Sequence, residues 1–177
     1  MQNGKYVIYV SPSVQEHNIG IGNYGSEEAE MNDTADILCE FLKIDGRFIV
    51  YRNKPEMNLK QIIADSNAKK VDLHIAIHSN ACNGKARGTE VFYNLLSVRG
   101  KKLAQYIYNN MEAITPSKDR GIKGTLSLGE VKTKAVAALI EVAFHDNLQD
   151  AKWIMANKKA IAKAIYQGII KYLREGK

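Results

Sequence analysis

Apolar positions along the chain follow two rhythms. Short runs rich in Val, Ile and Tyr occupy Lys5–Val10, Arg47–Tyr51, Val71–His78, Thr89–Asn94, Thr125–Val131 and Ala135–Val142. Such runs suit buried strands, because branched and aromatic side chains pack well on a pleated surface. Between them, apolar residues recur at helical spacing. Met31, Ala35, Leu38 and Leu42 mark a helix capped by Ser26 and stopped at Asp45-Gly46. Asn58 caps a helix over about Leu59–Asn67, and Ser97 opens one over about Val98–Ile114. Asp146 or Asn147 caps a short helix near Leu148–Met155. A last helix covers about Lys158–Arg174, with Ile161, Ile165, Ile169 and Tyr172 on one stripe.

Strands alternating with helices predict an α/β fold: a single domain over residues 1–177, with a mostly parallel twisted sheet of about six strands and helices on both faces. In such sheets, sites form beyond the carboxyl ends of strands. Two segments lack either rhythm. Residues 14–25, VQEHNIGIGNYG, and Thr115–Gly124 read as loops, because they collect Gly, Asn and Pro.

Composition narrows the class. The 177 residues, 45% of them hydrophobic, suffice for one real core. Two cysteines are too few for a disulfide framework. Cys39 falls in a helical pattern as a core residue. Cys82 lies in a loop with no base and orienting group marked around it, so a nucleophile there is disfavoured. The net charge of +6 admits a polyanionic partner. Lys and Arg are dispersed rather than interleaved with aromatics, which argues against nucleic acid. No apolar run approaches the ~20 residues that span a membrane, so no membrane partner is expected. The start, MQNGKYVIYVSPS, lacks the charged-then-apolar plan of a signal peptide.

The chemistry concentrates where strands are expected to end. His74, Ala76 and His78 share one face of an extended Val71–His78, and His78 comes last, where the strand meets the loop. His74 sits deeper in apolar sequence and reads as a support histidine. Glu141 interrupts the apolar AVAALIEV; a buried carboxylate needs a partner or a site to face, and burial suits it to acid/base work near neutrality. His17 lies in the first loop. Glu27 and Glu28 open the first long helix, and helical geometry does not choose between them. Two His, a carboxylate and a separate Glu are the parts of a catalytic zinc site with one open position.

Two stretches, DLHIAIHSNACNGKARGTEVFY and AALIEVAFHDN, resemble signatures of the zinc-dependent N-acetylmuramoyl-L-alanine amidases, the catalytic domains of bacterial autolysins and phage endolysins. The likeness covers nearly the whole chain. It implies one Zn²⁺ per chain, with His78 as a ligand and Glu141 as the catalytic glutamate. The family places its carboxylate ligand three residues after a loop glycine and four before a frequent Asn. Gly25 and Asn32 fit that register around Glu28. The family usually follows its first strand with Asp-x-Gly-His-Gly-Gly, where this chain has SPSVQEHNIGIGNYG. With His74 and His145 as the other candidates, the resemblance assigns the first ligand to His17.

The implied reaction is hydrolysis of the amide between the lactyl group of N-acetylmuramic acid and L-alanine of peptidoglycan. Asn80 and Arg87, near the expected mouth, are candidates for substrate contact, and His145 for lining the cleft. The action is expected outside the cytoplasm on the cell wall, after release by lysis or a phage-encoded pore. A cell-wall-binding domain beyond the C-terminus is a further expectation. Two rival readings are a zinc carboxypeptidase-like peptidase, which needs an Arg such as Arg87 or Arg120 for a terminal carboxylate, and a non-catalytic wall-binding module.

Overall fold

The computed structural model describes residues 1–117 and 120–175. Lys118 and Asp119 of the expected Thr115–Gly124 loop lie outside the described residues. Six strands form one sheet: β1 (Tyr6–Pro12), β2 (Phe48–Arg52), β3 (Leu73–Asn80), β4 (Glu90–Asn94), β5 (Ile122–Thr125) and β6 (Val136–Phe144). Their order is β2-β1-β3-β6-β4-β5. Every neighbouring pair is parallel except β4 with β6. The helices are α1 (Glu27–Asp45), α2 (Leu59–Ala68), α3 (Val98–Glu112) and α4 (Leu148–Glu175).

The helix boundaries follow local chemistry. The Ser26 side chain accepts the Ala29 N–H, and Gly46, at φ 75°, closes α1 in the left-handed region that glycine adopts freely. Asn58 and Gln61 form a reciprocal capping box on α2. The two helices expected over 148–174 are joined as α4 across a kink at Asn157. The expected strand Thr125–Val131 is corrected. The strand is Ile122–Thr125, and Glu130–Lys132 is a 3₁₀ turn. Apolar Leu126, Leu128 and Val131 imitate a strand, but Val131 instead packs with Ala76 and Leu139 against the sheet.

The two faces of the sheet are covered unequally. Ile8, Val10, Ile75, Ile77, Ala138 and Ile140 pack against α1, α3 and α4 in one large core. At the tightest helix contact, a Cβ on Gly168 would meet the Ile107 backbone at 2.6 Å, so only glycine fits. The opposite face is covered by α2, where Val7, Tyr9 and Ile62 cluster, and by the 3₁₀ turn. That second face carries the polar residues.

Candidate active site

His78 stands at the carboxyl end of β3, opposite Glu141 of β6, which in turn pairs with Glu90 of β4. The β3–β6 register shifts between His78 and Asn80, so the ladder opens where the polar residues begin. A cavity of about 300 Å³ lies there, lined by Ser13, Gln15, His78, Glu130, Leu139 and Glu141 among others.

His78 is held from both sides. Its Nδ1 lies 2.9 Å from Glu27 Oε1, and its Nε2 lies 2.9 Å from Glu130 Oε2. Glu27 is buried and also accepts from Asn18 Nδ2 at 2.7 Å and from the Ser79 N–H at 3.4 Å. Glu130, also buried, accepts from the Ser11 hydroxyl at 2.5 Å, and its Oε1 lies 3.2 Å from His74 Nε2. Behind it, His74 Nδ1 meets Ser66 Oγ at 2.9 Å, and the Tyr9 ring stacks on the imidazole.

The charges respond to this packing. Burial pushes the Glu27 carboxyl up, but hydrogen bonds and charge from His78, with Asn18, outweigh it and hold it low. Burial likewise raises Glu130, and the contacts with His74 and His78 more than reverse it. For His78, burial lowers the pKa, while hydrogen bonds to Glu130 and Glu27 and nearby carboxylate charge raise it well above its usual range. Glu141 is pushed up to about 7, first by burial and then by the charges of Glu27, Glu90 and Glu130, against a lowering by His78. Its Oε2 is sealed from solvent and has no hydrogen-bond partner. A carboxyl kept near neutrality in a cleft suits proton transfer.

The other candidates fall elsewhere. The first turn of α1 aims Glu27 at His78, while Glu28 lines a second depression with His17, Glu16 and Glu56. Gln15 lines both depressions, and its Nε2 lies 3.5 Å from His78 Nδ1. His17 is exposed. Asn80 donates to Glu90 Oε1 at 2.8 Å, and Glu90 also holds Arg120 Nε at 2.7 Å and Lys123. Arg87 donates from Nε to the fully buried Asp150 at 2.8 Å; Asp150 also accepts the Gly88 and Phe144 N–H groups. His145 is buried rather than exposed, with Nδ1 2.8 Å from Ser79 Oγ and its ring stacked on Tyr24. Cys82 is exposed and free, and its N–H donates to Asp146.

Sequence reasoning missed Glu130. The available signal was His74, a buried imidazole whose two nitrogens both demand partners. Among the described residues, no three His, Cys, Asp or Glu side chains already form a group able to hold a metal.

This fold recurs in known proteins. The family Amidase_3, N-acetylmuramoyl-L-alanine amidase, matches residues 8–171, and the chain belongs to that family. N-acetylmuramoyl-L-alanine amidase LytC of Bacillus subtilis (strain 168) is 28% identical over 176 residues, 94% of this chain but 35% of LytC. The chain thus spans about a third of that relative's length. The uncharacterized protein YqiI of the same organism is 26% identical over 96% of this chain and 85% of its own length. Among solved structures, an N-acetylmuramoyl-L-alanine amidase from Clostridium difficile 630 superposes with a TM-score of 0.89 at 22% identity, covering 99% of this chain and 100% of its own. The catalytic domain of the CD27L endolysin gives 0.78 at 24% identity, covering 94% and 97%. These two likenesses establish the α/β fold.

Proposed function

We propose that this chain is a zinc-dependent amidase. It would hydrolyse the amide between the lactyl group of N-acetylmuramic acid and L-alanine of peptidoglycan stem peptides, acting on the wall outside the cytoplasm. The observation that carries the reading is Glu141. It is a carboxyl with a sealed, unpaired oxygen and a pKa near 7, directly across the ladder from His78. Family membership supplies the substrate class.

The residues present fit a zinc ion. Glu27, Glu130 and Glu141 crowd one imidazole, and a cation is the charge that would balance them. His78 Nδ1 and Glu27 Oε1 face each other as two donors of the type zinc prefers. Glu27 thus takes the carboxylate place that the family register assigned to Glu28. His17, the imidazole the resemblance assigned to the remaining place, lines the neighbouring depression with Glu28 and not the cleft of His78, so Glu27 and His78 are the two ligands proposed. Zinc, when bound, activates a water and polarises the scissile carbonyl.

The chain's own residues do the rest. Glu141 takes a proton from the attacking water and returns it to the departing L-alanine nitrogen, so one carboxyl serves as base and then as acid. Burial raises its pKa to about 7 in the metal-free protein, so neither protonation state is strongly disfavoured near neutrality. Asn80 and Arg87 act on the substrate side through what they hold: Asn80 orients Glu90 beside Glu141, and Arg87 braces the loop at the mouth. A carboxypeptidase is disfavoured, because Arg87 and Arg120 both lie on buried carboxylates of the protein itself.

Digestion of purified Gram-positive wall, with and without chelator, tests the reading. New N-terminal alanine and free lactyl-muramic groups, both abolished by chelator, are expected. Release of C-terminal amino acids alone, or no cleavage by zinc-loaded protein, would overturn it.

A further inference from the structure

The mechanism above leaves a buried chain of polar groups unused. It runs from Ser66 through His74 and Glu130 to His78. We propose that Glu130 is a positioning residue that fixes the tautomer of His78, holding the proton on Nε2 and leaving the Nδ1 lone pair facing Glu27 and the cleft. The proposal rests on the zinc reading only for what Nδ1 then binds.

The argument is one of donors and acceptors. An ionised carboxylate has no proton to give. Glu130 lies 2.9 Å from His78 Nε2 and 3.2 Å from His74 Nε2. Both contacts are hydrogen bonds only if both histidines carry a proton on Nε2. For His74, that leaves Nδ1 as an acceptor for the Ser66 hydroxyl at 2.9 Å. The chain therefore has one direction, and every donor in it points towards Glu130. Ser11 adds a third donor, at 2.5 Å. Three donors on one buried carboxylate fix its plane, and that plane fixes the imidazole.

On the opposite side of the ring, His78 Nδ1 and Glu27 Oε1 are 2.9 Å apart. With one His78 proton committed to Nε2, these are two lone pairs facing each other unless a second proton lies between them, as in the hydrogen bond to Glu27. Only a cation, a proton or a metal ion, satisfies both. Glu130 thus determines which nitrogen offers itself to the site. A carboxylate behind a ligating histidine orients the ring and raises its basicity, typically worth about 10–100-fold in metal affinity.

Glu130→Gln tests this, since an amide accepts from one histidine but presents N–H groups to the other. Zinc affinity, measured by competition with a chelator, is expected to fall about 10–100-fold. In ¹⁵N-histidine spectra, the His78 Nε2 signal is expected to lose its proton-bearing character. Glu130→Asp, which restores the charge, is expected to recover part of both. Should Glu130→Gln fail to fold, Ser11→Ala removes one support of the carboxylate and is expected to weaken zinc binding several-fold. Unchanged zinc affinity and an unchanged His78 signal in a folded variant would overturn the proposal, as would a His78 proton found on Nδ1 alone. A wild-type chain that takes up no zinc, yet keeps the His78 Nε2 proton in a Glu130-dependent way, would refute the metal reading and uphold this one.

Discussion

The two faces of the central sheet are made from the same strands but do opposite things. On one, Ile8, Ile75, Ile77 and Ile140 meet three helices in a continuous apolar core. On the other, alternate residues of those strands include Ser11, His74, His78 and Glu141, beneath one short helix and a 3₁₀ turn. The thick cover removes water and demands shape. The thin cover leaves room for charges, provided each finds a partner. Glu130 finds three, whereas one oxygen of Glu141 finds none. Within one buried cluster, the satisfied carboxylate fits a part of the scaffold, and the unsatisfied one is the group proposed to do the chemistry.

The sharpest way to break this contrast is to neutralise the unsatisfied group. Glu141→Gln is expected to lower the rate of wall cleavage about 10²–10⁴-fold with zinc uptake retained, as read by single-turnover digestion and metal analysis. Unaltered cleavage would move the chemistry off this face.

The next test separates the two neighbouring acids. Glu27→Ala is expected to abolish stoichiometric zinc uptake, because it removes the proposed ligand and leaves His78 Nδ1 without its facing group. Glu28→Ala, in the second depression, is expected to leave most of it. The reverse result in metal analysis would restore Glu28 as the ligand.

The apolar face should answer differently. Ile75→Ala is expected to cost about 2–5 kcal/mol in denaturant unfolding through cavity formation, with zinc content per folded chain unchanged.

The smallest effect is a pH dependence. Glu141 binds its proton more tightly folded, at about 7, than the usual 4.5 of the unfolded chain. The metal-free protein should therefore lose stability as pH rises from about 4.5 through about 7, by up to about 3 kcal/mol. Glu141→Gln should flatten that slope in chelator-treated melts; a slope that rises over this range would contradict the assignment.

The sequence showed most of the frame because strands and caps are local. Val, Ile and Tyr runs, the Ser26 and Asn58 caps and Gly46 each report on a few neighbouring residues. Glu141 and His78 were legible as polar residues ending apolar strands. Glu27 was harder to single out, since adjacent helical residues differ by about 100° in direction and only the docked helix says which one points inward. Glu130 was hidden further. Its partners Ser11 and His74 lie 119 and 56 residues away, and a strand-like pattern around it disguised a 3₁₀ turn. The resemblance supplied a register for Glu28, but packing presents Glu27 to His78 instead.

The loop after β3 has a mechanical consequence. Asp146 accepts the N–H groups of Cys82 and Gly84, while Asp150 accepts from Arg87 and the Gly88 N–H. Two aspartates four residues apart, one just before α4 and one in its first turn, thus latch both ends of this rim. Such a rim behaves as a fixed jaw rather than a lid. Whatever enters the cleft must therefore fit this edge as it stands, because the edge is tied at both ends.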